Sequence, residues 1–321
     1  MGILKVHQRV LMTQKPFSYF SNIDINVNLL PGFPEVHEAY RVLREQKDLL
    51  CGAYSLTYVL HSYGYKEIDG TELTVDKVAQ LAGSVLDDRN AERNKKVHES
   101  IGTGEIPEER ARDWTLHDYF KHDLSIDEEG AGTSPKGVHE ACRKATKGEL
   151  TAIPIPAVFD GETQLNKDNF DKIIKSVSER EHTAQIIMNY NLKETLAPAG
   201  VLGHKYNFLA VMIHWDDPDY FWNLRWDVGH FTTLAGRLSK KDCKERYLLI
   251  RDSYKTFGLD GYHLQPERAI LKGLIREDDD RDGGILLIVP SEESDEIEDW
   301  LNGLGLNTGL WDNGSKYLPL E

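Results

Sequence analysis

Apolar positions in the first half of the chain recur at helical spacing. Val36, Ala39, Tyr40 and Leu43 share one face, which predicts a helix over 35–46. After the connector Lys47 to Leu50, a second helical face starts at Cys51 and continues through Leu56, Val59, Leu60 and Tyr63. Thr74 reads as the N-cap of a helix to about Leu86, with Val75, Val78, Ala79 and Ala82 inward. Ser134-Pro135 opens another, because serine caps and proline is tolerated at the first helical position. Its inward residues are Val138, Ala141, Cys142 and Ala145, and Gly148 ends it. Asn166 to Arg180 is helical through Phe170, Ile173, Ile174 and Val177. Asp87 to Glu109 is polar without a clear period and fits a surface loop, a solvated helix or a mobile lid.

Thr151 to Phe159 and Ala184 to Tyr190 are strand-like, and from about residue 207 strands take over. Trp222, Leu224, Trp226 and Val228 alternate with Asn223, Arg225 and Asp227, a period of two. His230 to Gly236, Tyr247 to Asp252 and Gly283 to Pro290 follow. Helices first and strands later predict an α+β fold, a helical lobe against a sheet lobe. Residues 1–35 close on the breakers Pro31-Gly32-Phe33-Pro34 and read as an N-terminal extension. Residues 36–302 then form one domain, and the Gly- and Asn-rich 303–321 a surface tail. Trp114, Leu116, Tyr119 and Phe120 read as a core plug.

Composition narrows the function. A net charge of −15 argues against a nucleic-acid partner, which needs a basic footprint. No apolar run approaches the ~20 residues of a membrane span, and the first residues fit neither a secretory signal nor the myristoylation pattern. The three cysteines, Cys51, Cys142 and Cys243, make neither a disulfide framework nor a zinc spacing. A reducing, cytoplasmic setting is expected, with no cofactor and no membrane. The stretch His214-Trp215-Asp216-Asp217 reads as a turn rather than a metal site.

Cys51 carries the candidate chemistry. In the first turn of a helix, the unpaired N–H groups and the helix dipole favour a negative sulfur, and small Gly52 and Ala53 permit close approach. The same pattern also suits a small buried hydrophobe. A thiol nucleophile needs a base, a group to orient that base, and donors for the oxyanion. His230 is the candidate base. If Leu234 pairs with Leu248 in an antiparallel hairpin, His230 lies opposite Asp252, and directly opposed residues share a face. Gln46 and the Cys51 N–H are the candidate oxyanion donors. Gly229 and Trp226, which lead into His230, are candidate substrate contacts together with Gly52; the Trp226 alternation also suits a strand packing its core face. His37, His61, His204 and His263 have no partner visible in the sequence.

Gln46…Cys51-Gly52, Gly229-His230-Phe231 and Arg251-Asp252-Ser253, followed by Gly261-Tyr262 and Gly283-Gly284-Ile285-Leu286, resemble the papain-like cysteine peptidase superfamily. The nearest likeness is to its bacterial branch of bacteriocin leader peptidases. The resemblance covers mainly 36–65 and 222–290. It implies a cysteine at a helix N-terminus facing His and Asp on adjacent strands, with Gln in the oxyanion hole. Two features depart from it. Leu49-Leu50 stand where relatives carry a small or acidic residue. Cys51 and His230 are 179 positions apart (230 − 51), against the roughly 130–150 of papain-type enzymes. Residues 66–210 therefore read as an enlarged insert, and 87–130 as a candidate cover. No transporter domain accompanies the motifs, so leader removal during export is not expected.

The expected activity is acyl transfer on a peptide or amide substrate through a Cys51 thioester. Hydrolysis is the first reading, with an amine acceptor, and hence amide formation, as the alternative. A third reading is a silent peptide-binding module that keeps the cleft.

Overall fold

The strand-like segments assemble into one seven-stranded antiparallel sheet. The computed structural model describes residues 25–110, 119–179, 184–197, 207–217, 223–276 and 281–320. Strand β1 (Ile25–Leu29) leads into helices α1 (Phe33–Val42), α2 (Cys51–Ser62), α3 (Val75–Leu81), α4 (Asp88–Gly102) and α5 (Pro135–Ala145). The middle of the chain supplies β2 (Leu150–Pro156), α6 (Lys167–Glu179), β3 (Gln185–Asn191) and α7 (Asn207–Ile213). Then come β4 (Gly229–Lys240), β5 (Arg246–Arg251), β6 (Tyr262–Pro266), α8 (Glu267–Ile275), β7 (Gly284–Pro290) and α9 (Ser294–Gly303). The strand order is β6-β5-β4-β3-β7-β2, with β1 on the distal half of β4.

The chain is α+β, but the sheet is covered on both faces. In β3, Ile187 points to one side and Ile186, Met188 and Tyr190 to the other; β7 divides Leu286 and Ile288 from Ile285, Leu287 and Val289 in the same way. Strands apolar on both faces need two covers. Helices α1, α2, α3 and α5 pack on one face, and α6, α8 and α9 on the other. The expected pair of lobes is therefore three layers. The stretch 66–210, expected as an insert, supplies β2 and β3 to this sheet and α5 to its first cover.

Local signals explain most boundaries. Thr74 caps α3 by accepting the Lys77 N–H at 3.2 Å, and Ser134 caps α5 through the Gly137 N–H at 3.0 Å. The polar stretch after Leu86 is a solvated helix capped by Asp87, which accepts the Asn90 N–H at 2.6 Å. Three expectations are corrected. The helix at 35–46 stops at Val42, where Leu43 turns extended and the Lys255 ammonium takes the carbonyls of Tyr40, Arg41 and Leu43. Helix α3 stops at Leu81, and Val85–Leu86 forms a short parallel pair with Ser125–Ile126. Residues 224–228 are irregular rather than a strand, because Arg225 and Val228 bond back to Asn223 and Trp226 instead of joining the ladder. Trp114, Leu116, Trp222 and His204 lie outside the described residues; Tyr119 and Phe120 are buried.

The described parts of both expected appendages, 25–35 and 303–320, belong to the body, and residues 1–24 lie outside the described residues. Ile25–Leu29 pairs with Gly236–Lys240. Residues 304–320 form a strap: Leu306 and Trp311 are buried, Lys316 N–H bonds Gly130 C=O at 2.9 Å, and Leu318 N–H bonds Gly83 C=O at 3.0 Å. The Trp311 ring fills the space a Cβ on Gly284 would need, 2.8 Å away. No helix among the described residues is long and apolar enough to cross a membrane. Trp311→Ala is expected to lower unfolding free energy by about 3–5 kcal/mol in a denaturant titration; a loss below about 0.5 kcal/mol would fit an unpacked tail instead.

Candidate active site

The segment before Cys51 is a tight turn anchored at both ends. Lys47 is ion-paired to Asp76 at 2.6 Å, the Leu50 N–H bonds the Lys47 carbonyl at 3.2 Å, and Leu49 sits between them at φ 67°. A leucine in the left-handed region carries a steric cost. That cost is offset by the apolar anchoring of its neighbour, since Leu50 is wholly buried in the core. Cys51 becomes the first residue of α2, where the first intrahelical bond runs from Tyr54 N–H to Leu50 C=O at 2.8 Å. No side chain caps this end, which leaves the first N–H groups for another acceptor. Cys51 is partly exposed. Cys142, by contrast, is sealed in the core, and burial pushes its thiol up to about 12. Cys243 lies away from both, bonded to Asp216 at 3.1 Å.

His230 is the second residue of β4, and Asp252 follows directly after β5. Leu234 pairs with Ile250 rather than Leu248, so the His230 end of the hairpin is shifted by two residues from the expected register, and by three beyond a bulge between Leu234 and Gly236. A shift of two preserves parity, and the histidine and the aspartate stay on one face as diagonal neighbours. His230 Nε2 meets Asp252 Oδ1 at 2.9 Å, and Ser253 Oγ lies 3.4 Å from the same nitrogen. Both members of the pair are buried. Burial works against a charge on the His230 ring, but the Asp252 carboxylate and the Cys51 sulfur outweigh it and hold the imidazolium well above the ordinary histidine range. Burial would likewise raise Asp252, yet His230 and His263 hold its carboxyl below the usual range. With Nε2 on Asp252, Nδ1 is the nitrogen left to hydrogen-bond the Cys51 sulfur.

Gln46 docks beside this line through its backbone N–H, 3.1 Å from the Ser253 carbonyl. Its side chain is buried, its Oε1 has no hydrogen-bond partner among the described residues, and its amide hydrogen-bonds the Tyr254 hydroxyl. Tyr254 stacks on His230 with centroids 5.4 Å apart and planes at 15°, and Trp226 leans on Tyr254 at 5.7 Å. Trp226 is 42% exposed, so it is not a core residue and forms the outer edge of an aromatic wall. At the two glycines expected to meet substrate, the side-chain position is taken by protein. A Cβ on Gly52 would stand 3.0 Å from Thr133 and 3.1 Å from Phe231, and one on Gly229 would stand 2.6 Å from the Arg276 guanidinium.

Sequence reasoning left His263 without a partner. Its Nε2 lies 3.2 Å from Asp252 Oδ2 on buried strand β6. Its alternation with Gln265, two polar residues on one face of an apolar strand, was the available signal. Tyr40 is a second such group: its hydroxyl donates to the Asp252 and Asp260 carbonyls at 2.8 and 3.0 Å. Gly261, at φ 82°, leaves room for it, since a Cβ there would come within 1.8 Å of the phenol oxygen. His37 and His61 also have partners, the Tyr262 hydroxyl and the Leu73 carbonyl. His214 to Asp216 form a turn after α7. Among the described residues no group of three or more His, Cys, Asp or Glu side chains is placed to hold a metal.

Fold and site together define an α+β protein with a buried imidazole–carboxylate pair beside a thiol at a helix N-terminus. The chain belongs to a family of unknown function, DUF6885, whose model matches residues 30–312. That span contains Gln46, Cys51, His230, Asp252 and His263. No curated protein matches the chain, and no solved structure does.

The shifted ionisations predict a pH-dependent stability. Asp252, held low, contributes stability that is present above the ordinary carboxylate range and lost as pH falls through its folded-state value. His230, held high, contributes stability that is present below the ordinary histidine range and lost as pH rises through its raised value. Asp252→Asn is expected to lower unfolding free energy near neutral pH by about 3–5 kcal/mol, with the deficit shrinking on acidification below the carboxylate range. Denaturant unfolding across pH measures it, and a deficit constant with pH would contradict the assignment.

Proposed function

We propose that the chain is a papain-like cysteine hydrolase that cleaves a peptide or amide bond through a thioester on Cys51. The observation that carries this reading is the buried His230 ring, held by Asp252 on one nitrogen and turned to Cys51 with the other. Support for the papain-like class comes from the cysteine at the start of α2 and the His and Asp on paired strands of an antiparallel sheet.

In this mechanism the thiol proton already rests on His230 Nδ1 as the sulfur attacks the substrate carbonyl carbon. The developing oxyanion receives the Cys51 N–H and the Gln46 amide N–H. As the C–N bond breaks, the imidazolium gives its proton to the leaving amine. Water then adds to the thioester with His230 as base, the C–S bond breaks, and the acid leaves with the thiol restored. Asp252 stays ionised throughout, fixing the ring and stabilising the imidazolium. The half-exposed Trp226 and the Tyr254 ring give the substrate an aromatic wall beside the reacting atoms.

Cys51→Ala is expected to abolish turnover of peptide amides and to remove the iodoacetamide adduct that maps to residue 51, leaving any adduct on the partly exposed Cys243; undiminished turnover in that variant would refute the mechanism. Gln46→Ala is expected to lower kcat by about 10²–10³. Product analysis should give the free acid with or without an added amine. Amide products formed in preference to acid would make the protein a transferase rather than a hydrolase.

A further inference from the structure

Asp252 holds three donors, and only one of them belongs to the thiol–imidazole line. Oδ1 accepts the His230 Nε2 proton at 2.9 Å and the Tyr254 N–H at 2.8 Å; Oδ2 faces His263 Nε2 at 3.2 Å. We propose that His263 is a positioning residue for the acyl-transfer site, clamping the Asp252 carboxylate from the side opposite His230 in a single tautomer fixed by Gln265. This rests on the hydrolase reading for its consequence, but not for its geometry.

The tautomer follows from counting donors and acceptors. Gln265 is buried and brackets the backbone of Leu196, with Oε1 2.8 Å from the Leu196 N–H and Nε2 3.0 Å from the Leu196 carbonyl. A backbone N–H can only donate and a carbonyl can only accept, so the amide has one permitted orientation. Its NH₂ group therefore faces His263 Nδ1, also at 3.0 Å, and Nδ1 must accept. The imidazole proton is left on Nε2, aimed at Asp252 Oδ2. A second proton on Nδ1 would face the amide hydrogens of Gln265. The titratable groups that bear on Asp252 are His230, His263 and the phenols of Tyr40, Tyr54, Tyr190 and Tyr254, with Cys51 beyond His230.

Three consequences follow for the site. The carboxylate cannot rotate away from His230 without giving up a buried hydrogen bond on its other oxygen. His230, not His263, is the ring free to change protonation during turnover. The same amide ties residues 195–196 to β6, and these bond residues 223–224 through Leu196↔Asn223 and the Leu224 N–H to Thr195 carbonyl bond. The aromatic wall at Trp226 and the carboxylate thus share one anchor.

The test uses the full chain with labelled histidine, comparing wild type with His263→Leu, His263→Gln and Gln265→Met. Imidazole nitrogen NMR should show His263 as the Nε2–H tautomer in wild type, with Nδ1 accepting a hydrogen bond whose signature is lost in Gln265→Met. The His230 protonation midpoint should fall in His263→Leu and return toward wild type in His263→Gln, whose amide can still donate to Oδ2. The rate of Cys51 alkylation by iodoacetamide at neutral pH should fall about 10- to 100-fold in His263→Leu, the scale of one buried hydrogen bond to a charged group, with partial rescue in His263→Gln. An Nδ1–H tautomer of His263, or an unchanged His230 midpoint in His263→Leu, overturns the proposal. If His263→Leu does not fold, the wild-type tautomer and the Nδ1 hydrogen-bond signature lost in Gln265→Met decide alone. A wild-type Cys51 that resists alkylation while the tautomer and midpoint behave as stated would defeat the hydrolase reading and leave the clamp standing.

Discussion

A carboxylate with no exposure to water stays charged only if donors and positive charge surround it. Asp252 imposes that requirement where β5 ends, and much of the surrounding architecture meets it. Two histidines and a backbone N–H reach its oxygens, and the Tyr40 hydroxyl from α1 holds its carbonyl. The preceding residue poses the same problem with the opposite sign. Arg251 is 1% exposed and is accommodated by aromatic faces, with its guanidinium 5.2 Å from Phe33 and 5.3 Å from Tyr262, and by a 2.8 Å bond to the Tyr262 hydroxyl. Strand alternation sends these two neighbours to opposite faces. One end of β5 is thereby fixed from both sides.

Placing the carboxylate does not by itself place the thiol. That falls to the contact between α2 and β4, where Ser55 Oγ donates to the Phe231 carbonyl at 3.2 Å and Tyr58 donates to Thr233 Oγ1 at 2.9 Å. Gly52 allows the approach, because its missing side chain makes room for Thr133 and Phe231. The turn at Lys47 to Leu50 then sets where the helix begins. Four elements divide the placement: β5 and β6 hold the carboxylate, β4 carries the imidazole, and α2 brings the thiol to it.

Much of this was legible in the sequence, for identifiable reasons. Side-chain caps at Thr74 and Ser134 and the helical face after Cys51 are local signals, and local signals survived. The Cys51, His230 and Asp252 set survived a wrong register because the error was two residues and sheet faces repeat every two. What the sequence hid was set by distant contacts. The strand at Ile25–Leu29 exists because the distal half of β4 offers an edge. The tail is ordered because Trp311 finds the groove over Gly284, and no local pattern announces either. Residues 223–228 carry a strand's alternation but form no extended ladder, so periodicity misled there. His263 was missed because a lone histidine gains meaning only when Asp252 is known to lie across the next strand.

The central claim is that the buried carboxylate and imidazole make Cys51 a nucleophile that forms and then loses an acyl group. Intact-protein mass spectrometry after mixing with an activated ester tests this most directly. A single acyl adduct is expected that maps to Cys51, forms faster than it disappears, and is absent from Cys51→Ala. Acylation that is equal in Cys51→Ala, or that spreads over lysines with Cys51 unmodified, would contradict it.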